Sequence, residues 1–121
     1  MDYREAWDLQ TGLHRILVEN KLNNRQLKPG AYPQPHQLLL VEHSPVFTLG
    51  RSGSMDHLLL SENQLRERGI QFFPINRGGD ITFHGPGQIV GYPLLDLECF
   101  FTDVHRYVRN IEEVIIRTIA E

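Results

Sequence analysis

The sequence is poor in cysteine, in long apolar runs and in positive charge. Its single cysteine, Cys99, excludes an internal disulfide, and no stretch approaches the roughly 18 to 20 apolar residues that a transmembrane helix needs. Twelve Lys plus Arg against fifteen Asp plus Glu give a formal net charge of −3, which argues against non-specific nucleic-acid binding. Residues Met1–Glu5 lack the basic and apolar regions of a signal peptide, so we expect a cytoplasmic protein.

What the sequence does contain suffices for one apolar core. The chain has 121 residues, of which 40% are hydrophobic, and these include six Phe, four Tyr and one Trp. Domains usually contain about 100 to 150 residues, so residues 1–121 are expected to form a single domain. The last helical pattern continues to residue 121 without a cap or a glycine stop, so we expect this domain to be partial.

Hydrophobic periodicity predicts a helix at each end of the chain. Apolar residues recur every three or four positions from Tyr3 to Asn20, and again from about Asp103 onward. A Ser N-cap, a Gln three residues later and a Gly stop predict a short helix over 61–69. Five strands are predicted, of which the first two are expected to be buried. Pro93 indicates an edge or a bulge near the end of the last strand. The five strands cover residues 37–42, 46–50, 71–75, 81–83 and 88–95.

Residues 76–88 are the most unusual part of the chain, because they hold four of its ten glycines. Gly78 and Gly79 can turn backbone amides toward a carbonyl or phosphate oxygen. Arg77 before them and His84 after them add a fixed positive charge and a titratable imidazole. Hairpin turns alone would account for the glycines, but the flanking Arg and His favour an oxyanion-binding site.

Several other chemistries are disfavoured by spacing. The glycines do not follow the dinucleotide or P-loop fingerprint, and no Lys-Ser or Lys-Thr pair follows them. The six histidines include no His-x-x-x-His pair and Cys99 has no cysteine partner, so neither a metal nor another cofactor is expected. Because Cys99 lies among apolar residues, we expect it to be a buried and inert thiol.

Two long motifs carry a resemblance to a known family. The first spans 40–51 and reads LVEHSPVFTLGR, and the second spans 77–93 and reads RGGDITFHGPGQIVGYP. In this order they closely resemble the octanoyltransferases of lipoate biosynthesis, also called lipoate-protein ligase B or lipoyl(octanoyl) transferase. The resemblance covers essentially the whole chain but only the N-terminal portion of a family member. It implies an α/β fold, an α+β-type mixed sheet flanked by helices, as in biotin and lipoate ligases, present here in truncated form.

The resemblance implies an acyl-transfer reaction. Octanoyl would pass from octanoyl-acyl carrier protein, through a cysteine thioester, to a lysine of a lipoyl domain of 2-oxoacid dehydrogenases or of the glycine cleavage H protein. The family's Lys and Cys dyad lies beyond the last helix, so no catalytic residue is assigned here, and no metal, cofactor, nucleic acid or membrane is implied. The residues that carry over as substrate-binding are Arg77, Gly78, Gly79, Asp80, Ile81, Thr82, Phe83 and His84, with His43, Arg51 and Tyr92 as further pocket residues.

Two alternatives stay open from the sequence. A non-catalytic module that binds acyl carrier protein or lipoyl domains would recognise these acidic partners through basic side chains. An ATP-dependent ligase of the same fold would need nucleotide binding, and the run 82–88 favours the transferase branch instead. The basic residues available to a binding module are Arg66, Arg68, Arg106, Arg109 and Arg117.

Overall fold

A computed structural model describes all 121 residues and groups them into two compact units. Unit 1 consists of Met1–Gly12 and Leu38–Pro93, and unit 2 consists of Leu13–Gln37 and Leu94–Glu121. The helices are α1 (Tyr3–Asn23), α2 (Glu62–Glu67) and α3 (Val104–Ala120). The strands are β1 (Gln37–Glu42), β2 (Val46–Leu49), β3 (Gln71–Pro74), β4 (Ile81–His84) and β5 (Ile89–Leu94). Short 3₁₀ turns, absent from the sequence predictions, occur at Met55–His57 and Leu97–Cys99.

The strands form two small sheets. β2 lies at the centre of a three-stranded sheet, in which β3 is parallel to it and β4 is antiparallel. β1 and β5 pair with each other in a second sheet. The predicted α/β class with a mixed sheet and helices is therefore confirmed, although the strand pairing is divided between two sheets. Pro93 lies in a strand with one partner, as expected of a residue that lacks a backbone donor.

β2 carries the core of unit 1. Val46 and Thr48 are completely buried and lie on one face of the strand, because successive strand residues point to opposite faces. Full burial of one valine side chain is worth about 1.5 to 3 kcal/mol. The buried apolar residues of unit 1 are Tyr3, Ala6, Val41, Val46 and Leu65, whereas unit 2 contributes Leu17.

The burial predicted for β1 is wrong. Leu38 and Leu40 are 62% and 68% exposed, and Val41 is the one buried residue of the strand. A continuous apolar run predicts a strand but does not say which of its faces is covered. β1 has one partner strand, and the face that carries Leu38 and Leu40 is open.

Local capping residues set the bounds of α2. The Ser61 hydroxyl accepts a hydrogen bond from the Gln64 amide, and the Gln64 side chain accepts one from the Ser61 amide. This reciprocal capping box satisfies two amide donors that a helix N-terminus otherwise leaves open. After the helix, Gly69 adopts a φ of +63°, which glycine accepts without strain. The helix predicted over 61–69 is confirmed within these limits.

α3 is the longest element that lies wholly in unit 2. Asp103 caps it by accepting a hydrogen bond from the Arg106 amide at 3.1 Å, as the sequence predicted. None of its residues is buried, and its exposed apolar side chains are Val104, Val108, Val114, Ile115, Ile116 and Ile119. No helix of the chain combines the length and the apolar composition needed to cross a membrane.

A polar cluster holds the remainder of unit 2 together. The Asp96 carboxylate, whose side chain is 7% exposed, accepts hydrogen bonds from Lys21 and Gln34, each at 3.1 Å. The Asp96 amide donates to His36 Nδ1 at 3.2 Å. Burial by itself raises the pKa of Asp96, but the hydrogen bonds from Lys21 and Gln34 outweigh it and lower that pKa. The end of α1 and the proline-rich loop are thereby tied to one carboxylate.

Candidate functional site

The glycine-rich loop before β4 is joined to the end of β2. The Gly50 amide donates to the Asp80 carbonyl at 3.1 Å. Gly79 has a φ of +87°, a left-handed conformation that favours glycine. A Cβ atom at Gly50 would lie 2.2 Å from the Gly79 carbonyl oxygen, so any other residue would push the two backbones apart. Glycine at position 50 is therefore what permits this close approach.

Arg77 braces the same loop from within. Its Nη1 donates to the Gly78 carbonyl at 2.6 Å, and its Nη2 donates to the Asp80 carbonyl at 2.8 Å and to Thr82 Oγ1 at 3.0 Å. The guanidinium thus pairs with three uncharged oxygens, so these contacts do not neutralise its positive charge. Arg51 contributes through its backbone, since its amide donates to the Arg77 carbonyl at 2.9 Å while its side chain is exposed.

Asp80 fixes the turn after β2 against the glycine-rich loop. Its Oδ1 accepts from the Ser54 amide at 3.2 Å, and its Oδ2 is hydrogen-bonded to His57 Nδ1. Desolvation alone would raise the pKa of Asp80, but the hydrogen bonds from His57 and from backbone amides lower it. Ser52 adds a further link by donating from its hydroxyl to the Gly79 carbonyl at 3.0 Å.

β4 separates the predicted substrate-binding residues between its two faces. His84 lies opposite Val46, which is completely buried. Phe83 lies opposite Phe47 on the other face, where the ring centroids are 5.1 Å apart. Because strand side chains alternate, Ile81 shares the face of Phe83 and not that of His84.

His43 is a buried imidazole directly after β1. It is 1% exposed, and its Nε2 is hydrogen-bonded to Tyr92 Oη at 2.6 Å. Its ring centroid lies 5.8 Å from that of His84, which brings three predicted residues together, here named the His–Tyr cluster (His43, His84, Tyr92). Burial, followed by the nearby His84, lowers the pKa of His43, and burial raises the pKa of Tyr92 to about 12. The hydrogen-bonded pair is therefore uncharged near neutral pH.

Three residues at this site escaped the sequence analysis: Tyr3, His57 and Gln88. The Tyr3 ring lies 5.3 Å from the His43 ring, and burial raises the pKa of its hydroxyl. Contacts between residues so distant in the chain leave no local pattern. Gln88 is different, because its Oε1 lies 2.5 Å from His84 Nδ1 across a short turn that the sequence itself predicts.

Cys99 differs from its expected environment. It lies in unit 2 at the end of a 3₁₀ turn and is half-buried, so the prediction of a buried thiol is wrong. Its neighbour Phe100 is 58% exposed, and the apolar residues around Cys99 therefore do not enclose it.

Two arginines of α3 form ion pairs on their own helix. Arg109 pairs with Glu112 at 2.6 Å, and Arg117 pairs with Glu113 at 2.7 Å. The Arg106 guanidinium lies 4.3 Å from the centroid of an aromatic ring. The two ion pairs neutralise charge locally, so α3 offers less free positive charge to an acidic partner than its sequence suggests.

Comparison with known proteins identifies relatives over the full chain. The sequence model of a family described as lipoyl protein ligase A/B catalytic domain matches residues 2–121. A curated octanoyltransferase of Flavobacterium psychrophilum is 54% identical over 120 residues, which cover 99% of this chain and 51% of the relative. Octanoyltransferases of Cytophaga hutchinsonii and Caldicellulosiruptor saccharolyticus are 52% and 40% identical and are covered over 50% and 46% of their lengths. The chain thus spans about half the length of the curated relatives it matches.

Proposed function

Because the chain belongs to the lipoyl protein ligase A/B catalytic domain family, we propose that it supplies part of the substrate site of an octanoyltransferase of lipoate biosynthesis. The complete reaction moves an octanoyl group from octanoyl-acyl carrier protein to a lysine amine of a lipoyl domain. The acceptors we expect are the lipoyl domains of 2-oxoacid dehydrogenases and the glycine cleavage H protein, in the cytoplasm.

The observation that carries this proposal is the His–Tyr cluster at the C-terminal end of β4. The glycine-rich loop before β4 provides a second part of the site. The carbonyl oxygens of Gly78 and Gly79 accept hydrogen bonds from Arg77 and Ser52, whereas their amides have no acceptor within the chain. Two such amides can donate hydrogen bonds to an oxygen of the substrate. Arg77 holds these amides in place and adds a positive charge beside them.

His84 is assigned to the acyl carbonyl end of the substrate. It lies on the same face of the sheet as the buried Val46, and the His43 ring packs nearby. Ile81 and Phe83 stay predicted apolar contacts of the octanoyl chain, to be made from the opposite face of β4. Each buried methylene of that chain would contribute about 0.8 kcal/mol.

The acyl-enzyme step is proposed to need residues from outside this chain. A thiolate attacks the thioester carbonyl, and a neighbouring Lys lowers the thiol pKa and transfers protons. We place this Cys and Lys in the half of the relatives that the chain does not span. Cys99 lies in unit 2 outside the two matching motifs, and we assign it no catalytic role.

A chimaera tests this assignment. This chain would replace its matched half in the octanoyltransferase of Flavobacterium psychrophilum, to which it is 54% identical. We expect octanoyl transfer to a lipoyl domain, and His84→Ala should lower kcat/KM by about 10²-fold, as removal of one group at a reacting carbonyl does. His14→Ala, the same change at an exposed position of α1, is the matched control and should leave the rate unchanged.

Two results would contradict the proposal. A folded chimaera with full activity after His84→Ala would remove His84 from the site. A folded chimaera that binds octanoyl-acyl carrier protein but transfers nothing would favour the non-catalytic binding module instead.

A further inference from the structure

The turn between β4 and β5 is determined by its own sequence. The Gln88 amide donates to the Gly85 carbonyl at 3.2 Å, which closes a four-residue turn. Pro86 occupies the second position, and Gly87 occupies the third with a φ of +84°. This combination defines a type II turn, in which proline presets its own φ and glycine supplies the positive one. His84 and Gln88 flank the turn and are thereby brought face to face.

The contact between these two side chains determines where a proton lies. His84 Nδ1 and Gln88 Oε1 are 2.5 Å apart. An amide oxygen can only accept a hydrogen bond, so the Nδ1 atom must be the donor. A neutral imidazole carries one ring proton, so with the proton on Nδ1 the Nε2 atom holds a free lone pair. In an unrestrained neutral histidine the proton instead favours Nε2.

We propose that Gln88 is a positioning residue that holds His84 in its Nδ1–H tautomer, so that Nε2 presents a hydrogen-bond acceptor to the substrate. The group it would accept from is the N–H or S–H of the nucleophile that attacks the acyl carbonyl. This last step rests on the proposed transferase function. The tautomer itself does not, because it follows from the turn and from the amide oxygen.

His43 provides an internal comparison for this assignment. The bonded nitrogen of His43 is Nε2, which pairs with Tyr92 Oη, whereas the bonded nitrogen of His84 is Nδ1. The two ring centroids lie 5.8 Å apart, so a general disturbance of this region should reach both rings. A tautomer change confined to His84 after substitution of Gln88 would thus report the loss of one hydrogen bond and not a general change of environment.

Nitrogen-15 NMR of the histidine rings tests the proposal directly. The 15N-labelled chain would be studied at about pH 9, above the ordinary titration range of histidine. Long-range ring correlations show which nitrogen carries the proton, and the signals lost in His84→Asn identify the residue. The expected result is a protonated Nδ1 and an unprotonated Nε2 in the wild-type chain. A protonated Nε2 on His84 would overturn the proposal without any further variant.

Substitutions of Gln88 test the cause. Gln88→Leu removes the acceptor and should shift the His84 proton toward Nε2, whereas Gln88→Glu keeps an acceptor oxygen and should keep the proton on Nδ1. Gln26→Leu, the same change at an exposed loop position, is the matched control and should alter neither histidine. A folded Gln88→Leu chain that keeps the wild-type tautomer would overturn the proposal. The NMR experiment needs no substrate, so it tests the tautomer separately from the transferase function. If the chimaera is inactive but His84 keeps its proton on Nδ1, only the transferase function is rejected.

Discussion

The two compact units of this chain bury their apolar residues to different extents. Unit 1 is built around β2, where Val46 and Thr48 are completely buried, and it contains the His–Tyr cluster. Unit 2 contains α3, whose apolar residues repeat at helical spacing although none of them is buried. The comparison teaches that periodicity specifies a helix and its apolar face, whereas burial depends on a surface that covers that face.

Introducing a charge at a valine should give the largest difference between the two units in the free energy of unfolding. Val46→Asp is expected to cost more than about 4 kcal/mol and to unfold unit 1, because it places a carboxylate at a completely buried position and removes its hydration. Val108→Asp, at a side chain 46% exposed on α3, should change the free energy of unfolding by no more than about 0.5 kcal/mol. Thermal unfolding followed by circular dichroism compares the two variants. Equal losses would show that the two valines are equally buried in solution.

A matched pair of glycines tests the close approach within unit 1. Gly50→Ala should destabilise the chain by roughly 1 to 3 kcal/mol, because the new methyl group meets the Gly79 carbonyl. Gly12→Ala, where no atom lies within 4 Å of the new methyl group, should be neutral or stabilise α1 by up to about 1 kcal/mol. Urea denaturation measures both. A Gly50→Ala chain as stable as wild type would refute the contact between the β2 end and the glycine-rich loop.

The pH dependence of stability should distinguish the titration of His43 from that of the carboxylates. Because burial lowers the pKa of His43 in the folded chain, the unfolded chain takes up a proton first as the pH falls. The contribution of His43 to stability is then constant above about pH 6.5 and falls below it toward the folded pKa, with a slope of up to about 1.4 kcal/mol per pH unit. The lowered pKa of Asp96 in unit 2 contributes stability that is present above its ordinary value of 3.8 and is lost as the pH falls below that value.

The variant His43→Gln isolates the first of these two windows. Its free energy of unfolding should lose the slope that begins near pH 6.5 and keep the acid loss due to carboxylates such as Asp96. An unchanged slope in denaturation curves recorded across this range would mean that His43 is not the group that titrates.

The smallest effect on stability is expected on α3. Its exposed apolar residues, among them Ile115 at 52% and Ile119 at 79%, should drive self-association of the chain at high concentration. Ile115→Lys should weaken that association and change the free energy of unfolding by no more than about 0.5 kcal/mol. Sedimentation velocity over a range of concentrations measures it. A wild-type chain that stays a folded monomer throughout would contradict this expectation.

Local signals in the sequence predicted most of the secondary structure. The capping box at Ser61 and Gln64 and the cap at Asp103 involve residues at most three positions apart, so the sequence reveals them directly. The exposure of β1 could not be predicted in the same way, because it depends on which elements cover each face. The partly enclosed environment of Cys99 has the same cause.

The sequence analysis proposed residues for the candidate site but not the contacts between them. The motifs singled out His43, His84 and Tyr92, yet the bond between His43 and Tyr92 joins residues 49 positions apart, a distance that no local pattern spans. The link between Asp80 and His57 joins residues 23 positions apart and is also non-local. The contact of His84 with Gln88 is the exception, since a Gly-Pro-Gly turn between them makes it predictable.

Intact-mass spectrometry tests most directly whether this chain binds substrate without supplying the nucleophile. The chain would be incubated with octanoyl-acyl carrier protein, first alone and then with the remaining half of the Flavobacterium psychrophilum relative. We predict no octanoyl adduct on the chain alone and acylation of the added half in the mixture. An octanoyl adduct on Cys99 in the chain alone would contradict this and make Cys99 the nucleophile.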